Sequence, residues 1–273
     1  MKITPYQLTM LTFAYMFSGF FLGGVRNFSM VAASFLALCL YAFAGYRGVH
    51  TEKRSFAHFL SVMVSPRWEK LLHLAMLVLM GIQFVSALVT VSEHIHILSG
   101  FLPLWVIGLS LIFMALFASR RGIFTVGRLS ELLLFLLIPL LVTRPFLSFV
   151  PAFRDVPMTW EGIIDFVSIA PIFYLLSRTV TAGDPSASHS LAASRGDIKN
   201  RARYVTLFLL AGGLFSVSVY GFLFLFEVHA GDVLLRLFLW CASFIRLAVL
   251  GTVFGDLAAE SPFSAGKESK IPY

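Results

Sequence analysis

Charge is scarce in this sequence. Of its 273 residues only 13% are Asp, Glu, Lys or Arg, against about 25% in a soluble globular domain. Cysteine is nearly absent too: Cys39 and Cys241 sit in separate apolar runs without a CxxC spacing, which excludes a disulfide framework or a zinc site. No HExxH, GxSxG, GxGxxG or Walker-type loop occurs. Zinc hydrolysis, acyl transfer and nucleotide binding therefore have no motif to stand on, and the sequence assigns no catalytic residue, metal ligand or cofactor. What is abundant is apolar: 58% of the residues are hydrophobic, and 29 are Phe. A soluble domain carrying this much would expose large apolar patches, so the excess is expected to face lipid.

A spanning helix takes about 20 apolar residues. The runs predict eight of them, at 8–24, 28–46, 70–92, 102–119, 123–143, 162–178, 204–226 and 233–255. Barrel strands would be runs of about 10 alternating residues, whereas Tyr204 to Phe226 is apolar throughout apart from Thr, Ser and Gly. The chain is thus expected to be an all-α integral membrane protein with about eight transmembrane helices. Ser55 to Val64 is too short to cross and reads as an interfacial or re-entrant helix ended by Ser65-Pro66. The stretch from Thr179 to Arg203 reads as a flexible loop, and 256–273 as a polar, poorly ordered cytoplasmic tail.

The net charge of +7 belongs to a membrane side before it belongs to a nucleic acid. With the N-terminus inside, alternate connections place sixteen of the 21 Lys and Arg on one side, which orients both termini to the cytoplasm. No nucleic-acid partner is expected. The first apolar run follows Lys2 but lacks an A-x-A-like exit and is closely followed by a second span. It reads as a retained helix.

The candidate ligand residues come from interruptions in apolar segments. Ser18-Gly19-Phe20-Phe21-Leu22-Gly23-Gly24 places three glycines in the first span, just before Arg26 and Asn27. Unwound backbone inside a membrane survives only where it lines a cavity or is buried in protein. One reading is a broken helix that binds a small polar ligand; the other is a close-packing face formed by Gly19 and Gly23. In the sixth span Asp165, Ser168 and Pro171 interrupt a short run, and Pro171 removes a backbone donor. Paired interruptions point to a transporter-type site; a kinked helix is the simpler alternative.

Polar residues on other spans are read the same way. Gln83, Ser86 and Thr90 are spaced to share one side of the third span, facing either a solvated cavity or a neighbouring helix. Arg246 lies inside the eighth span, either holding a substrate carboxylate or an intramembrane acid, or snorkelling to the surface. Arg128 and Glu131 are spaced to form a local pair near the cytoplasmic face. Glu93, His94 and His96 make a weak metal pattern, because the two histidines point to nearly opposite helix faces. Trp68, Trp105, Trp160 and Tyr204 fall near span ends and read as interface anchors.

Four stretches together carry a family resemblance. Ile3-Thr4-Pro5-Tyr6-Gln7-Leu8, LPLWVIGLSLIFMALFASRRG (102–122), GRLSELLLFLLIPLLV (127–142) and LFLWCASFIRL (237–247) resemble the B subunit of GerA-type spore-germination receptors. That family lies within the amino acid/polyamine/organocation (APC) transporter superfamily. The resemblance runs in order from residue 3 to about 255, on loose hydrophobic patterns with a few fixed polar points. It implies a LeuT-like fold of two inverted five-helix repeats, with a ligand between broken helices one and six. Carried onto this chain, it implies a site made of Ser18, Gly19, Gly23 and Gly24, Gln83 and Ser86, Ser168 and Pro171, and Trp240 and Ser243.

Two departures accompany it. The chain ends after the eighth span, so counterparts of helices nine and ten are missing. The acidic residue often found after the helix-six break is also absent, Phe173 and its neighbours being apolar. Both fit a ligand sensor better than an ion-coupled transporter. The resemblance further implies a germinant such as an amino acid, an A-type membrane subunit and a C-type lipoprotein as partners, and residence in the inner membrane of the spore. The alternatives are an APC amino-acid permease and a shortened paralogue that does not transport.

Overall fold

A computed structural model describes residues 3–22, 28–50, 65, 68–143, 160–178, 194–225 and 233–259. These form eight helices: α1 (Pro5–Leu22), α2 (Phe28–His50), α3 (Glu69–Ser99), α4 (Leu104–Arg121), α5 (Ile123–Thr143), α6 (Trp160–Arg178), α7 (Ser194–Leu225) and α8 (Val233–Ala259). Five stretches are long and apolar enough to cross a bilayer: Ala32–Val49, Glu69–Ile97, Leu104–Arg121, Lys199–Phe222 and Leu237–Ala259. On α3 the exposed residues Val78, Ile82, Val85 and Val89 form a continuous apolar stripe, at helical spacing, on the outside of the bundle. An outward stripe of that kind is stable in hydrocarbon and not in water. The protein is an α-helical membrane protein.

Local chemistry sets several helix ends. Thr4 and Gln7 form a reciprocal capping box, Thr4 N–H donating to Gln7 Oε1 at 3.1 Å and Gln7 N–H to Thr4 Oγ1 at 3.2 Å, with Pro5 pre-set at the first helical position. Gly100, at φ +68°, ends α3, and Gly122, at φ +83°, is the sole link between α4 and α5. Left-handed backbone of this kind favours glycine at both turns. Arg120 and Arg121 occupy the last turn of α4, where cations complement the helix dipole.

The helices pack as two groups. α2 lies against α6 and α7, and α1 against α7; α3 and α4 lie against α8 and each other. α1 joins the groups, touching α8 and α5 as well as α7, and from Leu11 to Ser18 every one of its residues is buried. Small and hydroxylated residues tie these contacts. Thr9 Oγ1 donates to the Phe208 carbonyl at 3.2 Å, and Thr206 Oγ1 to Ala42 O at 3.5 Å. A Cβ on Gly212 would stand 2.5 Å from the Thr9 carbonyl, so α1 and α7 are in backbone contact there.

Pairwise contacts also give directions. Thr9 meets Phe208 while Phe17 meets Tyr220, so α1 and α7 run parallel. Gly45 meets Leu209 while Gly213 meets Leu38, so α2 and α7 are antiparallel. His73 meets Leu257 and Gly81 meets Phe254, so α3 and α8 are antiparallel.

Some expectations are revised. α7 begins at Ser194, so the basic end of the expected 179–203 loop is helical; Lys199, Arg201, Ala202 and Arg203 are good helix formers and need no lipid to be so. α8 continues to Ala259, taking in the first residues of the expected tail. The 55–64 segment, Arg26, Asn27, the 179–193 stretch and 260–273 lie outside the described residues.

Candidate functional site

Arg246 is a charged residue buried inside the bundle. It lies midway along α8, thirteen residues from either end, or about 20 Å at 1.5 Å per residue. It is 4% exposed, so the snorkelling alternative does not hold. Its guanidinium carbon sits 4.9 Å from the centre of the Tyr15 ring on α1. A desolvated cation over an aromatic face gains about 2 kcal/mol, which offsets much of the roughly 2.5–3.5 kcal/mol that an arginine costs at a membrane centre.

Gly19, one turn beyond Tyr15, admits the same guanidinium, and any Cβ there would collide with Arg246 Nη1. This corrects the broken-helix reading for the described part of the motif. α1 continues as helix through Gly19 to Leu22, because the missing side chain makes room for Arg246 rather than freeing the backbone. Gly23 and Gly24 lie outside the described residues. Ser18 is fully buried, and its hydroxyl donates to the Tyr15 carbonyl at 3.0 Å.

α6 likewise continues unbroken through Pro171, correcting the expected break there; the missing N–H is tolerated inside a helix enclosed by its neighbours. Pro171 is buried; the side chain of Ser168 lies outside the described set. Just past the proline, Phe173 meets Tyr15 edge-on at 5.6 Å and Tyr41 of α2 at 4.4 Å. The guanidinium is thus the first member of a row running Arg246, Tyr15, Phe173, Tyr41 across α8, α1, α6 and α2.

Ser243, one turn before Arg246, is also buried. Gln83 is buried on α3, with no hydrogen-bond partner among the described residues. Ser216 Oγ on α7 is buried without one as well, at a cost of about 1–3 kcal/mol unless a ligand or water serves it.

Two candidates leave the site. Ser86 is exposed because it sits beside the outward stripe that includes Ile82, Val85 and Val89, about 60° round the helix from Gln83. Trp240 is 36% exposed, about 200° round α8 from the buried Phe238 and Ala242. Nor do Arg128 and Glu131 pair: Arg128 lies over the Phe124 ring at 4.8 Å, taking the ring one turn earlier on its own helix. His94 Nδ1 lies 2.8 Å from Thr90 O, and His96 Nδ1 2.7 Å from Leu102 O. Each ring is engaged with backbone, and no metal-holding group of three His, Cys, Asp or Glu occurs among the described residues.

Tyr15, Tyr41 and Ser216 are absent from the candidates that the sequence offers. Tyr15 carries a usable signal, since it stands four residues before Gly19 and must share its face. No family model, curated protein or solved structure matches the chain.

Proposed function

We propose that this protein is a membrane subunit of a nutrient-germinant receptor, similar to the B subunit of GerA-type receptors, which recognises a small molecule such as an amino acid. The observation that carries the reading is the buried Arg246 between α8 and α1. A guanidinium held in low dielectric is a recognition element for a carboxylate, because it offers two parallel N–H donors in a fixed plane. Gly19 and the Tyr15 ring lie against it, with Ser18 and Ser243 buried on the same two helices, while the aromatic row leading to Tyr41 would supply an apolar wall for a ligand's side chain.

The packing supports a LeuT-like arrangement. α1, α2, α6 and α7 associate, α3, α4 and α8 associate, and α1 and α6 meet at Tyr15 and Phe173. The parallel α1–α7 pair and the antiparallel α2–α7 and α3–α8 pairs are those expected of helices that alternate in direction along the chain. Continuous helices at Gly19 and Pro171 shift the recognition role from freed backbone to the Arg246 side chain. Binding there favours one arrangement of α1 and α6 against α8, and that bias passes to an A-type subunit and a C-type lipoprotein in the inner spore membrane.

An APC-type permease is the second reading, favoured by the same two-group packing. Proteoliposomes holding the purified chain separate the two. A receptor subunit binds a labelled amino acid without accumulating it; accumulation of label against a gradient would establish the permease instead.

A further inference from the structure

A groove lies between α4 and α5, and Arg246 is not among the residues that line it. α4 and α5 form a hairpin on the single residue Gly122 and touch each other only lightly. Between them opens a space of about 990 Å³. Phe113, Met114 and Phe117 of α4 and Leu132 of α5 line its sides, all exposed outward, and Gln7 and Phe244 lie at its back. Arg121, Arg128 and Glu131 line it as well. Arg121 lies over the Phe117 ring at 5.2 Å and Arg128 over Phe124 at 4.8 Å. Neither makes an ion pair among the described residues, so both N–H arrays remain available at the groove.

We propose that this groove holds an anionic glycerophospholipid, one acyl chain lying along Phe113, Phe117 and Leu132 and the phosphate held by Arg121 and Arg128. Phe113, Phe117 and Leu132 turn their exposed side chains outward, and in a membrane protein an acyl chain is the natural occupant of such a surface. Two arginines and one carboxylate line the groove, a net positive balance that matches an anionic lipid and not a zwitterionic one. Basic clefts between helices at the cytoplasmic side suit phosphate head groups, and arginine binds phosphate oxygens through paired donors.

The test places a reporter in the groove. Phe117→Trp in the full-length protein, reconstituted in phosphatidylcholine vesicles, is titrated with brominated-chain phosphatidylglycerol or brominated-chain phosphatidylcholine. Quenching is read as the difference from the Phe117 parent. Phosphatidylglycerol is expected to bind about fivefold more tightly than phosphatidylcholine. Arg121→Gln with Arg128→Gln should abolish that preference, and Lys at both positions should keep most of it. Arg47→Gln serves as control, since Arg47 lies over the Phe43 ring, outside the groove. Equal quenching by both lipids, or a preference unchanged in the double Gln variant, would overturn the proposal. So would weak quenching by both together with cross-linking of two chains through the groove, which would make the occupant a second copy.

Discussion

Replacing Arg246 by Met separates the recognition role of this residue from any role in folding. The change removes a charge whose placement at mid-membrane costs about 2.5–3.5 kcal/mol and forfeits the ring contact, about 2 kcal/mol, together with the further interaction that Arg246 makes in the bundle. Gain and loss oppose each other, and Met retains an unbranched chain to pack on Tyr15 and Gly19. Stability should therefore stay within about 2 kcal/mol of the parent, read as a small shift of the unfolding midpoint in detergent. Binding should change far more. Truncating one partner of a buried charge pair costs about 2–5 kcal/mol, or at least about 30-fold in affinity at about 1.4 kcal/mol per decade. The assay is equilibrium binding of a labelled amino acid and of the amine obtained by removing its carboxyl group. The amino acid should lose at least about 30-fold in Arg246→Met, whereas the amine, with no carboxylate to present, should bind parent and variant alike. A folded variant that binds the amino acid as well as the parent does would refute the assignment.

The packing sets three further outcomes. Gly19→Ala forces the Arg246 guanidinium aside and should lower stability by about 1–2 kcal/mol, an effect that Arg246→Met should relieve in a double-mutant cycle of thermal unfolding. Gly212→Ala presses a methyl group on the Thr9 backbone and should destabilise by about 1–3 kcal/mol; Gly221→Ala, with open space around it, should be neutral or raise stability by up to about 1 kcal/mol. His73→Phe leaves the Leu257 carbonyl, now 2.9 Å from the ring Nε2, without that partner and should lower the unfolding midpoint by the equivalent of about 1–3 kcal/mol.

Apolar runs are the legible part of the fold. Lys and Arg stop them, and α5 emerges at 123–143, the range the run itself marks. The end of α3 is less legible, because Glu93, His94 and His96 are polar yet remain helical up to Gly100. Run length tracks lipid; a helix that protrudes into water is governed by propensity and capping instead. The capping box of Thr4 and Gln7 lies open in the sequence as T-x-x-Q.

In the site, Arg246 is legible as a charge in an apolar run, but its partner is not. The contact of Gly19 with Arg246 joins residues far apart in the chain, and glycine looks the same in sequence whether it frees backbone or makes room for a guanidinium. Ser86 and Trp240 leave the expected site for a different reason. A nearly uniform apolar helix has little amphipathic contrast, so the pattern does not say which face turns inward.

The central claim is that this chain senses a germinant through Arg246. The most direct measurement is germination of purified spores from a deletion strain of its own host, complemented with the parent gene or with Arg246→Met, against a panel of amino acids, sugars and nucleosides. The account predicts that deletion abolishes the response to one class of carboxylate-bearing nutrient. The parent gene should restore that response, and Arg246→Met should not, although it accumulates in the spore membrane to the parent's level. An undiminished response in the deletion strain, or full restoration by Arg246→Met, would contradict it.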